Sequence, residues 1–145
     1  METKMSGVYV GIDGSSHSRI ALEWAMREAG YRHQPLTVIA VQEVAATGWG
    51  GMIVLPEDRA LRDQARKAAQ DAADKAAAEL GDAAPPSVTV QAFIGLPSAQ
   101  LIEVSEDADL LVVGSRGVGG FTRLVMGSTS AQVAQHAHCP VAIVR

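Results

Sequence analysis

The sequence predicts an open, doubly wound α/β sandwich, with a five-stranded parallel sheet in the order 3-2-1-4-5 and helices on both faces. Three observations predict it. Short apolar, β-branched runs alternate with helical patterns along the chain as β-α-β-α-β-α-β-α-β, and parallel strands joined by helical crossovers are the common architecture for that alternation. Hydrophobic residues make up 48% of the chain but aromatics only 4%, so the core must be built from Val, Leu, Ile and Ala, which suits helices packed on a parallel sheet. The 145 residues show no internal repeat and no interdomain linker, as expected for one core. Residues 1–7 read as an N-terminal extension and 8–145 as the domain.

Each element has its own signal. Val8 to Ile12 is a short apolar run closed by Asp13-Gly14-Ser15-Ser16, a turn and helix-start cluster. Ile20, Ala21, Trp24, Ala25 and Ala29 then recur at helical spacing, and Gly30 to Pro35 is expected to break that helix. Leu36 to Val41 is almost wholly apolar, as in a strand buried on both faces. Residues 43–56 are irregular. From Pro56 to Leu80 runs a long helical pattern in which Leu61, Ala65, Ala68, Ala72, Ala76 and Leu80 form one stripe. Gly81 to Pro86 ends it. Val88, Val90, Ala92 and Ile94 share one side of the third strand, Gly95-Leu96-Pro97-Ser98 opens a short helix, and Leu110 to Val113 is another buried strand. Ser128 to His138 is the last helix and Val141 to Val144 the last strand.

Composition excludes several roles. The formal net charge is −4 with no cluster of Lys or Arg, whereas binding a nucleic-acid backbone calls for a basic face. Cys139 is the lone cysteine, so no intrachain disulfide forms, and its setting beside Pro140 and Val141 reads as a packed thiol. No apolar stretch reaches the ~20 residues of a membrane helix, and Met1-Glu2-Thr3-Lys4-Met5 lacks the apolar core of a signal peptide. A soluble, cytoplasmic protein is expected. The histidines, His17, His33, His136 and His138, read as surface or cap residues. His136 and His138, two apart on a helix, do not share a face.

In doubly wound sheets, ligands bind beyond the carboxyl ends of the strands, where the strand order reverses. Two strand ends carry suitable residues there: Asp13-Gly14, and Gly114-Ser115-Arg116-Gly117. The second continues through Val118-Gly119-Gly120 to Gly127-Ser128-Thr129-Ser130. Glycines let backbone N–H groups approach a phosphate closely, and a helix opening at Gly127-Ser128 points its first amides at an anion. Ser128, Thr129 and Ser130 add hydroxyls, and Arg116 or Arg123 could add charge. The alternative reading is a flexible loop with a serine cap.

The spacing of Gly114, Gly117 and Gly127-Ser128 resembles the G-x2-G-x9-G-[ST] signature of the universal stress protein family, in its ATP-binding branch. The resemblance extends over Val10-Gly11-Ile12-Asp13-Gly14-Ser15, Gly95-Leu96-Pro97 and Cys139-Pro140-Val141, and so from Val8 to Arg145. It implies that Gly114 to Gly117, including Arg116, hold the outer phosphates and follow directly from Val113. Gly127, Ser128, Thr129 and Ser130 would hold the inner phosphates. Asp13 would stand near the ribose and phosphates, accepting a sugar hydroxyl or helping to hold Mg²⁺, and Val41 would meet the adenine through its backbone. Trp49 and Met52 could be a lid over the nucleotide, partner contacts or part of a mobile loop.

Competing motifs are missing. No Gly-Lys-[Ser/Thr] follows the glycines, the first strand turn lacks G-x-G-x-x-G, and no G-x-S-x-G elbow is present. The expected function is therefore an ATP-binding regulatory module with little or no turnover, acting in stress response. Its competitors are a slow ATPase or phosphoryl-transfer enzyme using Asp13 to orient water, a protein preferring AMP or cyclic AMP, and a dimeric scaffold with an empty site. A homodimer is expected through Val141-Ala142-Ile143-Val144, an apolar edge strand with unpaired backbone groups. Pro140 stands where its missing N–H costs least, and the family resemblance implies the same pairing.

Overall fold

The computed structural model describes residues 6–44, 53–115 and 127–145. The apolar runs form five strands: β1 (Val8–Ile12), β2 (Leu36–Glu43), β3 (Val88–Gly95), β4 (Leu110–Gly114) and β5 (Val141–Val144). They pair in parallel in the order β3-β2-β1-β4-β5. Val10 lies between Val38 of β2 and Val112 of β4, so the central strand is walled by β-branched side chains on each side. That is the expected sheet.

Four helices connect the strands: α1 (Ser16–Arg32), α2 (Pro56–Leu80), α3 (Pro97–Val104) and α4 (Ser128–His136). Alternation along the strands sorts their side chains to two faces. On one face Val8, Val10, Val38 and Val112 pack with Ala21, Leu22, Ala25 and Met26 of α1 and with Ala69 and Ala73 of α2. On the other, Ile39, Leu111 and Val113 meet Leu101 of α3 and Val133 of α4. Leu22 and Met26 are completely buried, each a contribution of about 1.5–3 kcal/mol from apolar burial.

The base of the sheet is fastened by one carboxylate. Asp109 Oδ2 accepts from the Gly7 N–H at 3.0 Å and from Gln34 Nε2 at 2.8 Å, while its own N–H donates to Gly7 O at 2.9 Å. The residues leading into β1, β2 and β4 thereby meet at a single side chain. Gly7, assigned to an extension by its sequence, is tied into this base. Among the described residues no helix is long and apolar enough to cross a membrane.

Three expectations about the helices need correction. Helix α1 does not stop at Gly30 but runs through it to Arg32, and His33 ends it in the left-handed region at φ 53°. Gly30 is present for contact, because a Cβ there would run into the carbonyl oxygen of Ala83. In α2 the buried row is Ala69, Ala73 and Ala76. Ala65, Ala72 and Leu80 are only partly buried beside it, and Leu61 is 43% exposed. Neighbouring alanines on this helix differ so little in size and polarity that the sequence pattern misplaced the stripe by about one residue. The last helix is also shorter than expected, ending at His136.

Gly30→Ala is expected to destabilise the fold despite alanine's helix preference, a gain of about 1 kcal/mol. Overpacking against a backbone oxygen costs roughly 1–3 kcal/mol or more, so the net loss should lower Tm by a few degrees. Thermal denaturation followed by circular dichroism checks this, and a raised Tm would contradict the packing argument.

Candidate functional site

Strand order reverses between β1 and β4, and there the connections leaving the two strands part to opposite faces. A cleft of about 520 Å³ opens at this point, within the usual range for small-molecule sites. Its walls come from the carboxyl ends of β1, β2 and β4 and from the first turns of α3 and α4. Asp13, Val41, Val113 and Gly114 line it, as do Gly127, Ser128, Thr129 and Ser130. The fold thus brings these sequence-assigned residues together. Arg116 and Gly117, with Arg123, Trp49 and Met52, lie outside the described residues.

The β1 side is set by its turn. Asp13 Oδ1 accepts from the Ser15 N–H at 2.9 Å, a local turn that short polar side chains favour. Gly14 takes φ 84°, a conformation that side chains disfavour. Ser15 then caps α1, its Oγ accepting from the Ser18 N–H at 3.2 Å, and Ser18 Oγ returns a bond to Ser15 O at 3.0 Å. The Asp13 carboxylate is therefore oriented by the same turn that starts the helix.

The opposite side is set by a backbone clasp. Ser115 N–H donates to Val144 O at 2.8 Å, and Ser115 O accepts from the Gly127 N–H at 2.8 Å. The residue after β4 and the residue before α4 are thus locked together against β5. Gly127 is the N-cap of α4 and among the described residues no side chain caps the helix, so the N-cap itself gives the first-turn amides no side-chain acceptor. An anion is the natural partner for such amides.

Several lining residues were missed by sequence reasoning: Gly11, Ile39, Gln42, Glu43, Pro97 and Leu101. A signal existed for Gly11. A glycine inside a strand often marks a close approach, and a Cβ on Gly11 would lie 2.8 Å from both δ carbons of Leu101. That absence lets Leu101, 4% exposed, settle over β1 as the cleft floor. The only charged groups lining the cleft among the described residues are Asp13 and Glu43, both acidic. A second hollow of about 580 Å³ on the α1–α2 face shares Ile12, Asp13, Ser18, Val41 and Gln42 with the cleft.

Cys139 stands at the opposite end of β5 from the cleft, partly buried, with Sγ donating to Pro140 O at 3.3 Å. Burial raises its thiol pKa above the ordinary value, a backbone hydrogen bond at Leu111 opposes this, and the charge of Asp109 adds to the rise. Folding therefore favours the neutral thiol, a contribution present below the ordinary cysteine range and lost as pH rises through the folded value. At neutral pH, labelling by a thiol reagent should be slower than for a free cysteine peptide and should accelerate on the alkaline side. Fast labelling at pH 7 would contradict the assigned environment.

The chain matches known proteins along its whole length. The model of a family described as the universal stress protein family covers residues 5–145. A universal stress protein of Mycobacterium tuberculosis is 33% identical over 143 residues, which represent 97% of this chain and 48% of the relative. The chain spans about half the length of the curated relatives it matches. Among solved structures, a universal stress protein of Lactobacillus plantarum superposes with a TM-score of 0.78 at 22% identity, covering 99% of this chain and 100% of that one. A universal stress protein in complex with cAMP superposes with a TM-score of 0.68 at 25% identity, covering 99% and 98% respectively.

Proposed function

The chain belongs to the universal stress protein family, and from that premise we propose that it is a regulatory binding module for an adenine nucleotide, ATP foremost. The observation that carries the proposal is the convergence of Asp13, Val41, Gly114 and the uncapped start of α4 on one cleft. The similar structure in complex with cAMP supports the adenine class. In this reading the Val41 backbone meets the base and Asp13 accepts from a ribose hydroxyl. Gly114 and the Ser128 and Thr129 amides and hydroxyls hold phosphate oxygens. The lone cysteine suits work in a reducing cytoplasm.

Charge bears on the metal. A polyphosphate beside Asp13 and Glu43 meets like charge, and a cation relieves that repulsion. Mg²⁺ is held by one or two carboxylates plus phosphate oxygens, and Asp13, oriented by Ser15 N–H, fits as its single protein carboxylate. Mg²⁺ would supply charge neutralisation between nucleotide and cleft. Turnover should be slow. Neither lysine nor histidine is among the described lining residues, and Asp13 and Glu43 are the only carboxylates there that could take a proton from a water.

Calorimetric titration with ATP, ADP, AMP and cAMP is expected to show binding, with ATP preferred in the presence of Mg²⁺. Gly127→Val should reduce ATP affinity at least tenfold while the protein stays folded, since Gly127 has the extended backbone (φ −61°, ψ 157°) that valine tolerates. Ser128→Ala removes one exposed hydroxyl, a loss of about 1 kcal/mol or roughly fivefold. No heat with any of the four nucleotides, or full ATP affinity in folded Gly127→Val, would refute the site.

We also propose a homodimer through β5. Among the described residues this strand pairs only with β4, every one of its residues is half-buried, and it carries no charge before Arg145. Pairing with its own copy about a two-fold axis would satisfy the open edge. Light scattering should give a dimer for the wild type and a monomer for the Val141→Pro/Ile143→Lys double variant. A monomeric wild type at micromolar concentration, or a dimeric folded variant, would count against this edge.

A further inference from the structure

We infer that Ser130 is a positioning residue whose hydroxyl aims the first amide of α4 into the cleft, and that it does not itself donate to a phosphate; this rests on the nucleotide-binding reading above. Its residue type invites the opposite view, because serines at a helix start are common phosphate donors. The geometry points elsewhere. Ser130 is 2% exposed, and its Oγ lies 2.9 Å from Gly127 O and 3.5 Å from Ser115 O.

A hydroxyl has one proton to give. Phosphate oxygens only accept, so binding one through Ser130 would take that proton from the Gly127 carbonyl. Ser128 is exposed and Thr129 half-buried at the same helix start, and both are better placed to donate outward. The Ser130 proton is committed inward.

The consequence follows from the planarity of the peptide bond. Gly127 C=O and Ser128 N–H belong to one rigid unit and point in opposite directions. Gly127 O is held by Ser130 Oγ and also by the Ala131 N–H at 3.0 Å. Fixing that oxygen toward the helix fixes the Ser128 N–H away from it, toward the anion. On its other side Gly127 is fixed by its own N–H to Ser115 O, and Ser115 is bonded to Val144 of β5. Ser130 therefore completes a brace from the sheet to the helix start. A serine bond to a carbonyl three residues back is common in helices as a local feature. Here the same hydroxyl also faces the carbonyl fifteen residues earlier that clasps Gly127.

Ser130→Ala and Ser130→Thr in the full chain test this, with three readouts. In ligand-free protein, Ser130→Ala should speed hydrogen exchange of the Gly127 amide about tenfold relative to the global rate. With ligands, it should weaken ATP binding about tenfold but change adenosine binding less than twofold, because only the phosphates use the aimed amide. Ser130→Thr keeps the hydroxyl and should hold both readouts within about threefold of wild type. Unchanged Gly127 protection in Ser130→Ala overturns the inference, and with ATP affinity lost it would indicate a direct phosphate donor. Equal losses for ATP and adenosine, or a Ser130→Thr variant as impaired as Ser130→Ala, also overturn it. A wild type that binds neither ligand refutes the nucleotide reading, while the exchange readout still decides whether Ser130 braces Gly127.

Discussion

The structure depends on one constraint, which is that its central strand has partners on both sides. β1 lies between β2 and β4, so its two neighbours lead away from it in opposite directions. The helices that follow must cover different faces, with α1 and α2 on one and α3 and α4 on the other. The cleft forms at the carboxyl ends, where the two halves part. The strands need burial on both faces to satisfy their apolar side chains, and the helices that bury them leave the strand ends open. Core and cleft come from the same topology.

The opening combines an apolar floor of Ile39, Leu101 and Val113 with glycines and small polar side chains at its rim. The Asp13 turn and the Ser15 cap start α1 on one side, and the Ser115–Gly127 clasp starts α4 on the other. A helix start offers oriented N–H groups at fixed positions, and such preset dipoles need little rearrangement when an anion arrives. Small residues keep the cleft open: Gly11 admits Leu101 as its floor, and Gly114 and Gly127 leave room at its rim. Among the described lining residues the charged groups are Asp13 and Glu43, both acidic.

The sequence by itself determined the element order and the parallel sheet, because apolar β-branched runs and helical spacing are local signals that tertiary packing then reinforces; the expected strand order agrees with the structure but rests on no local signal. It also located half of the cleft's lining, since Asp13, Gly114 and Gly127-Ser128 sit at strand ends and helix starts that are recognisable within a few residues. Tertiary structure alone decided matters resting on contacts between distant residues. Gly30 looked like a helix stop until Ala83 was seen against it, and the buried face of α2 could not be chosen among alanines of equal size. Gly11 needed Leu101, from another element, to explain it. The role of Ser130 depended on where its one proton goes, and Gly127 and Ser115 receive it only after β4, α4 and β5 have come together. Residue type records which bonds a side chain can make, but only the folded chain brings up the partner that selects among them.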